Sequence, residues 1–109
     1  MNEFEKSVWK LVMKIPLGYV STYGDIASAL GNIGYSRLVG KVMSTNSEPI
    51  TKPCHRVVYS DGRVGWYMGI GQGSEEKIEL LRSEGIEVNN HYITNFEKHR
   101  FKHFFLDRE

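Results

Sequence analysis

The chain of 109 residues is 40% hydrophobic and 25% charged, the balance of an ordinary globular domain long enough to bury one core without a disulfide or a structural metal. Its formal net charge of +1 excludes a protein that grips nucleic acid by bulk electrostatics over its whole surface, so any DNA contact must come from a few well-placed groups. No apolar run approaches the ~20 residues of a membrane span and no signal-peptide core follows Met1, so a cytoplasmic location is expected.

Asn2 with Glu5 three residues on has the pattern of a capping box, and Phe4, Val8, Leu11, Val12 and Ile15 then recur at helical spacing. A first helix is predicted over 3–14, stopped by Pro16. Residues 18–22 read as a turn and a short extended link. Thr22 and Asp25 then cap a second short helix that carries Ile26, Ala27, Ala29 and Leu30 and ends at Gly31. After a Gly/Asn turn over 31–34, residues 35–43 place Leu38, Val39 and Val42 on one face and Arg37 and Lys41 on another, which predicts a third helix. Such a pair outlines a helix-turn-helix, although helix pairs with glycine turns are common in any α-rich domain.

From 46 to 73 the periodicity disappears and Pro, Gly and Ser become frequent; an irregular stretch of this length inside a domain is usually functional. Its end, Gly69-Ile70-Gly71-Gln72-Gly73, lacks the spacing and the preceding strand of a nucleotide loop and reads as a flexible loop. Ser74, Glu75 and Glu76 open a helix that buries Ile78, Leu80 and Leu81 and stops at Gly85. A short strand is expected within 86–93, and a tail carrying Phe96, Phe101, Phe104 and Phe105 is expected to dock on the core. With no repeat or linker, residues 1–109 are expected to form one domain, mostly α with a small irregular or β part.

The one cysteine, Cys54, cannot form an intrachain disulfide, and the four histidines at 55, 91, 99 and 103 have no zinc-like spacing, so no metal is expected. Cys54 lies in Lys52-Pro53-Cys54-His55-Arg56-Val57-Val58, where Pro53 fixes its own φ and pushes Lys52 toward extended geometry. A free cysteine is as often a small buried hydrophobe as a reactive group. Here His55 and Arg56 are expected to supply the electropositive surroundings that lower a thiol pKa from about 8.5 and favour the nucleophilic thiolate. Glu84 is a candidate for orienting the imidazole.

The string Pro53-Cys54-His55-Arg56-Val57-Val58 resembles the active-site signature of the O6-methylguanine-DNA methyltransferases. The similarity continues through Val20-Ser21-Thr22-Tyr23-Gly24-Asp25-Ile26-Ala27, Ser36-Arg37-Leu38-Val39-Gly40, Asn46 and Gly62-Arg63-Val64-Gly65-Trp66-Tyr67, and covers about 4–88. The part resembled is the family's C-terminal catalytic domain, a winged-helix-like helix-turn-helix alkyltransferase fold, with 89–109 as an extension.

The resemblance implies an irreversible, single-turnover transfer of an alkyl group from guanine O6 in duplex DNA to Cys54, with no cofactor. It implies that a water and His55 link Cys54 to Glu84, that the Tyr23 hydroxyl assists the departing base, and that Asn46 braces the cysteine loop. It further implies a flipped base, with Arg37 filling the gap and the helix carrying Ser36 and Arg37 in the minor groove with little sequence preference. Asn32 and Ser60 would touch the DNA backbone, and Tyr67 and Met68 would line the base pocket. Many relatives carry an N-terminal domain with no counterpart here, so the chain reads as a catalytic-domain-only monomer. Relatives usually have small or polar residues where this chain has Trp66 and Met68, which leaves the preference for larger alkyl groups open.

One rival reading is a damage sensor of the alkyltransferase-like class, which flips the same lesion without repairing it but has tryptophan or alanine where this chain has Cys54. A sequence-specific transcription factor would want base-reading side chains that 36–40 do not offer. A cysteine protease or glutaminase would carry its histidine far from the nucleophile.

Overall fold

The computed structural model describes residues 2–48, 50–67, 70–72 and 75–104. Helix α1, Glu3–Val12, starts on a complete capping box: the Asn2 side chain accepts from the Glu5 amide at 2.8 Å and the Glu5 carboxylate accepts from the Asn2 amide at 2.9 Å. It buries Val8, Trp9, Leu11 and Val12. The helix ends two residues short of the expected Lys14, because the chain must leave helical geometry ahead of Pro16.

Strand β1, Ser21–Thr22, leads directly into α2, Tyr23–Ala29, where Thr22 Oγ1 accepts from the Asp25 amide at 2.9 Å. The connection to the next helix contains a 3₁₀ turn, Ile33–Tyr35, capped by Asn32, so α3 runs over Ser36–Met43 and Tyr35 precedes it. Together α2 and α3 form the helix-turn-helix.

The irregular segment holds more regular structure than its sequence suggests. A 3₁₀ turn, Cys54–Arg56, runs into β2, Val57–Val58, which pairs in parallel with β1 in the register Ser21↔Val57 and Thr22↔Val58. Strand β3, Trp66–Tyr67, pairs antiparallel with β4, Ile70–Gln72. The middle of the stretch read as a flexible loop is therefore strand, stabilised by backbone pairing that two-residue elements cannot announce through alternating hydrophobicity; Gly69 and Gly73 lie outside the described residues.

Helix α4 spans Glu75–Ser83, with Ser74 outside the described residues. Strands β5, Val88–Asn89, and β6, Tyr92–Ile93, make a hairpin whose two turn residues, Asn90 and His91, sit in the left-handed region at φ 51 and 67, as a type I′ turn requires. A last turn of helix, α5, Phe96–His99, precedes the tail, in which Phe104 is buried; Phe105 lies outside the described residues.

The result is a mostly helical fold with a small β part. One apolar cluster gathers α1, α2 and α3 with Cys54, Val57, Tyr67 and Phe104, and a second gathers Val20, Val58, Val64, Ile78, Leu81, Ile86, Val88 and Ile93. Successive strand residues point to opposite faces, so Val57 enters the first cluster and Val58 the second, and the segment leaving Cys54 is held between them. No helix among the described residues is long and apolar enough to cross a membrane.

Candidate active site

Cys54 opens its 3₁₀ turn with its amide donating to Lys52 O at 2.7 Å, and its side chain is only 4% exposed. Asn46, itself buried, braces this turn three ways. Its Nδ2 donates to Lys52 O at 2.8 Å and to Cys54 Sγ at 3.1 Å, and its Oδ1 accepts from the Glu48 amide at 2.8 Å. Burial pushes the Cys54 thiol up from its ordinary value, and the Asn46 hydrogen bond, the Lys77 ammonium and a backbone amide oppose that push.

The expectation that His55 and Arg56 make the thiol's surroundings positive is corrected by the geometry. Arg56 turns away from Cys54 and closes a fork on Glu84, with Nε to Oε1 at 2.9 Å and Nη2 to Oε2 at 3.0 Å, while Nη1 donates to Ile15 O at 2.8 Å. His55 Nε2 meets Glu84 Oε2 at 2.8 Å. Burial holds the His55 pKa below its ordinary value despite Glu84, so the ring is neutral near pH 7. A carboxylate only accepts, so Nε2 carries the proton and Nδ1 is left as a bare acceptor, buried and without a hydrogen-bond partner among the described residues. Burial alone would raise the Glu84 carboxyl; the hydrogen bonds from Arg56 and His55 outweigh it and hold the group below the usual carboxylate range.

The cation that acts on the Cys54 thiol is Lys77, a residue that the sequence patterns did not single out. It is wholly buried, with Nζ donating to Val57 O and to Trp66 O at 2.7 Å each, so it ties the end of the cysteine turn to β3. Burial brings its pKa down to about 7, opposed by the Cys54 charge. Helical spacing held the signal: residues 77, 81 and 84 share one face, and Leu81 is fully buried.

Beside this cluster, an open groove of ≈1100 Å³ is lined by Tyr23, Ser36, Arg37, Lys41, Ser60 and Trp66, among others. Tyr23 packs against Tyr59 with ring centroids 5.7 Å apart and lies over Gly40, where a Cβ would meet its ring at 3.8 Å. Burial, then Tyr59 and Cys54, push the Tyr23 phenol well up, so it is a protonated donor at any working pH. Ser36 Oγ donates to Ile33 O at 2.7 Å, and Arg37 stands exposed on the same turn of α3. Asn32 caps the connection, its Oδ1 accepting from the Gly34 amide at 2.8 Å, and does not line the groove. Tyr67 is buried in the Cys54 cluster rather than in the groove wall, whereas Trp66 is half exposed on the rim. Met68 lies outside the described residues. Among the described residues no group of three His, Cys, Asp or Glu side chains could hold a metal.

A family model for the DNA-binding domain of 6-O-methylguanine DNA methyltransferase matches residues 3–86, which include Cys54. The bifunctional methyltransferase/endonuclease of Thermoplasma volcanium is 48% identical over 100 residues, covering 92% of this chain and 31% of that protein. The methylated-DNA--protein-cysteine methyltransferase of Methanosarcina acetivorans is 42% identical over 84 residues, covering 77% of this chain and 52% of that one. The chain thus spans about a third to a half of these relatives. The crystal structure of Schizosaccharomyces pombe Atl1 with damaged DNA containing O6-carboxymethylguanine superposes with a TM-score of 0.82 at 34% identity, covering 94% of this chain and 97% of that one. With more than half of its length matched, and with the cysteine turn and the helix-turn-helix in place, the chain belongs to the 6-O-methylguanine DNA methyltransferase family.

Proposed function

We propose that this chain repairs alkylated duplex DNA by direct reversal, moving the alkyl group of an O6-alkylguanine onto Cys54 in a single, irreversible turnover. The observation that carries this reading is a buried thiol, hydrogen-bonded by Asn46 and faced by Lys77, beside a groove formed by Tyr23 and the exposed face of α3. Residues 1–109 are then one catalytic domain, acting as a cytoplasmic, DNA-associated monomer. The family model is named for DNA binding, and the same segment holds the reacting cysteine.

In this reading the resting thiol loses its proton to His55 Nδ1, through a water. Glu84 holds the ring in the tautomer that leaves Nδ1 free to accept, and the Asn46 donor and the Lys77 charge stabilise the thiolate. Sulfur attacks the alkyl carbon in line, the S–C bond forms as the C–O6 bond breaks, and the electron pair leaves with guanine. Tyr23, kept protonated by burial, donates to the departing base and offsets the charge that develops there. The thioether product has no leaving group for water to displace, so each molecule acts once and needs no cofactor.

The base is extruded for this attack, Arg37 enters the vacated stack, and the α3 face lies in the minor groove. Contacts of Asn32, Ser36 and Ser60 with the backbone carry no sequence information. Tyr67 lines the base pocket from beside Cys54. One observation favours a second reading, lesion binding without transfer: the likeness to Atl1 extends over nearly all of that chain.

Intact and peptide mass spectra after incubation with a duplex bearing one O6-methylguanine decide between them. One methyl group on the Cys54 peptide, none on Cys54→Ala, and retained binding by that variant are expected. A wild-type chain that binds the lesion and gains no mass is a sensor.

A further inference from the structure

The tail lies beyond the family match at residue 86, yet it grips the start of α2. The Val20 amide donates to His99 O at 2.9 Å and the Phe101 amide donates to Val20 O at 2.7 Å, so Arg100 bridges in parallel to the residue just before β1. From there the Arg100 guanidinium forks onto Asp25, with Nε to Oδ2 at 2.9 Å and Nη2 to Oδ1 at 3.0 Å; the two side chains are 19% and 11% exposed. Its remaining arm donates to Glu97 at 3.1 Å, and Phe96 lies 5.4 Å beneath it. The tail is anchored below by Phe104, buried in the α1–α3 cluster and edge-on to Phe101 at 5.1 Å.

We propose that Arg100 is a positioning residue for Tyr23, so that the C-terminal tail is a working part of the site. Helix α2 has 7 residues, too few to hold its own geometry in water, and depends on its tethers. The Thr22 cap and the β1–β2 pairing fix where the helix begins. Ile26 and Ala27, buried against α1 and α3, hold its inner face, and the outer face is left to other restraints against a roll about the axis. Tyr23 and Asp25 lie about 200° apart around the helix, so a fork closed on Asp25 from the far side resists the roll that would swing the Tyr23 ring. A bidentate pair fixes direction as well as distance, which a lysine could not do.

The inference rests on the alkyl-transfer reading, and two rates measured on the same protein isolate it. Methyl uptake from an O6-methylguanine duplex needs both the thiolate and Tyr23, whereas alkylation of the buried Cys54 by iodoacetamide needs the thiolate and access to it but not Tyr23. Arg100→Ala is expected to slow methyl uptake about tenfold while changing the iodoacetamide rate less than about twofold. Asp25→Asn, which preserves shape should Arg100→Ala fail to fold, is expected to show the same split, and the double variant to lose no more than either single one. Arg100→Lys should recover only part of the rate. Unchanged methyl uptake in both single variants overturns the proposal, and so does a parallel fall of the two rates, which marks general loosening. If the wild-type chain takes up no methyl, the transfer reading alone fails. The clamp is then judged by the ratio of affinities for lesion and undamaged duplex: a fall in Arg100→Ala supports it and an unchanged ratio overturns it.

Discussion

Glu84→Ala is expected to unfold at a denaturant concentration that reflects a loss of about 3 kcal/mol and to take up methyl from O6-methylguanine DNA at least about a hundredfold more slowly. Glu84 is the common acceptor for Arg56 and His55, and both its own carboxylate and Arg56 are largely buried. Its removal leaves a guanidinium without a counter-charge and an imidazole without the acceptor that sets its tautomer. Glu84→Gln separates the two effects, because the amide keeps the volume and can accept from one donor but carries no charge; it should recover stability more than rate. A Glu84→Ala chain with wild-type methyl uptake would remove His55 and Glu84 from the mechanism.

The same group sets part of the acid limit. The Glu84 carboxyl is held below its unfolded value of 4.5, so the folded state binds fewer protons and this contribution to stability is complete above about pH 4.5. It is lost as pH falls through the folded-state value. Acid unfolding followed by tryptophan fluorescence should therefore be less steep in Glu84→Gln, and identical acid limbs in the two proteins would contradict the assignment.

Lys77→Met has the second large effect. Val57 O and Trp66 O lose their donors, which costs about 2–3 kcal/mol for two orphaned carbonyls, and the Cys54 thiolate loses the positive charge opposing its burial. The pH profile of iodoacetamide alkylation should therefore fall below the wild-type profile at about pH 7 and lower, where Lys77 carries its charge. An unmoved profile would make Lys77 a strut and nothing more.

Stability gives an independent reading of the same lysine. Its folded-state pKa, about 7, lies below the ordinary 10.5, so between these values the unfolded chain binds the extra proton. The contribution of Lys77 to stability therefore rises with pH across that window and is flat below it. Between pH 7 and 8.5, under the thiol's ordinary 9.0, the stability gap between wild type and Lys77→Met should widen.

The four longer helices were legible because their signals are local. Capping by Asn2 and Thr22 and the apolar spacing of α1, α3 and α4 depend on residues three or four apart, which any part of the chain presents whatever the rest does. Boundaries were less legible: Pro16 acts on α1 from beyond its end, and the 3₁₀ turn at Ile33–Tyr35 is a backbone choice that side-chain spacing does not encode. The pairing of β3 with β4 was hidden because two or three residues are too few for alternation to register.

At the site, the cysteine string and its neighbours Tyr23, Asn46 and Glu84 were identifiable as residues; the electrostatics were not. Arg56 follows Cys54 closely in sequence, yet its charge goes to Glu84, 28 residues on, while the cation that faces the thiol is Lys77. The Asp25–Arg100 fork joins residues 75 apart. By itself the sequence determined which helices form and which residue is the candidate nucleophile, because propensity, capping and residue identity belong to short stretches of chain. Only the tertiary structure decided which charges are stripped of water and which partners they then meet, because desolvation is set by whatever distant segments pack around a group.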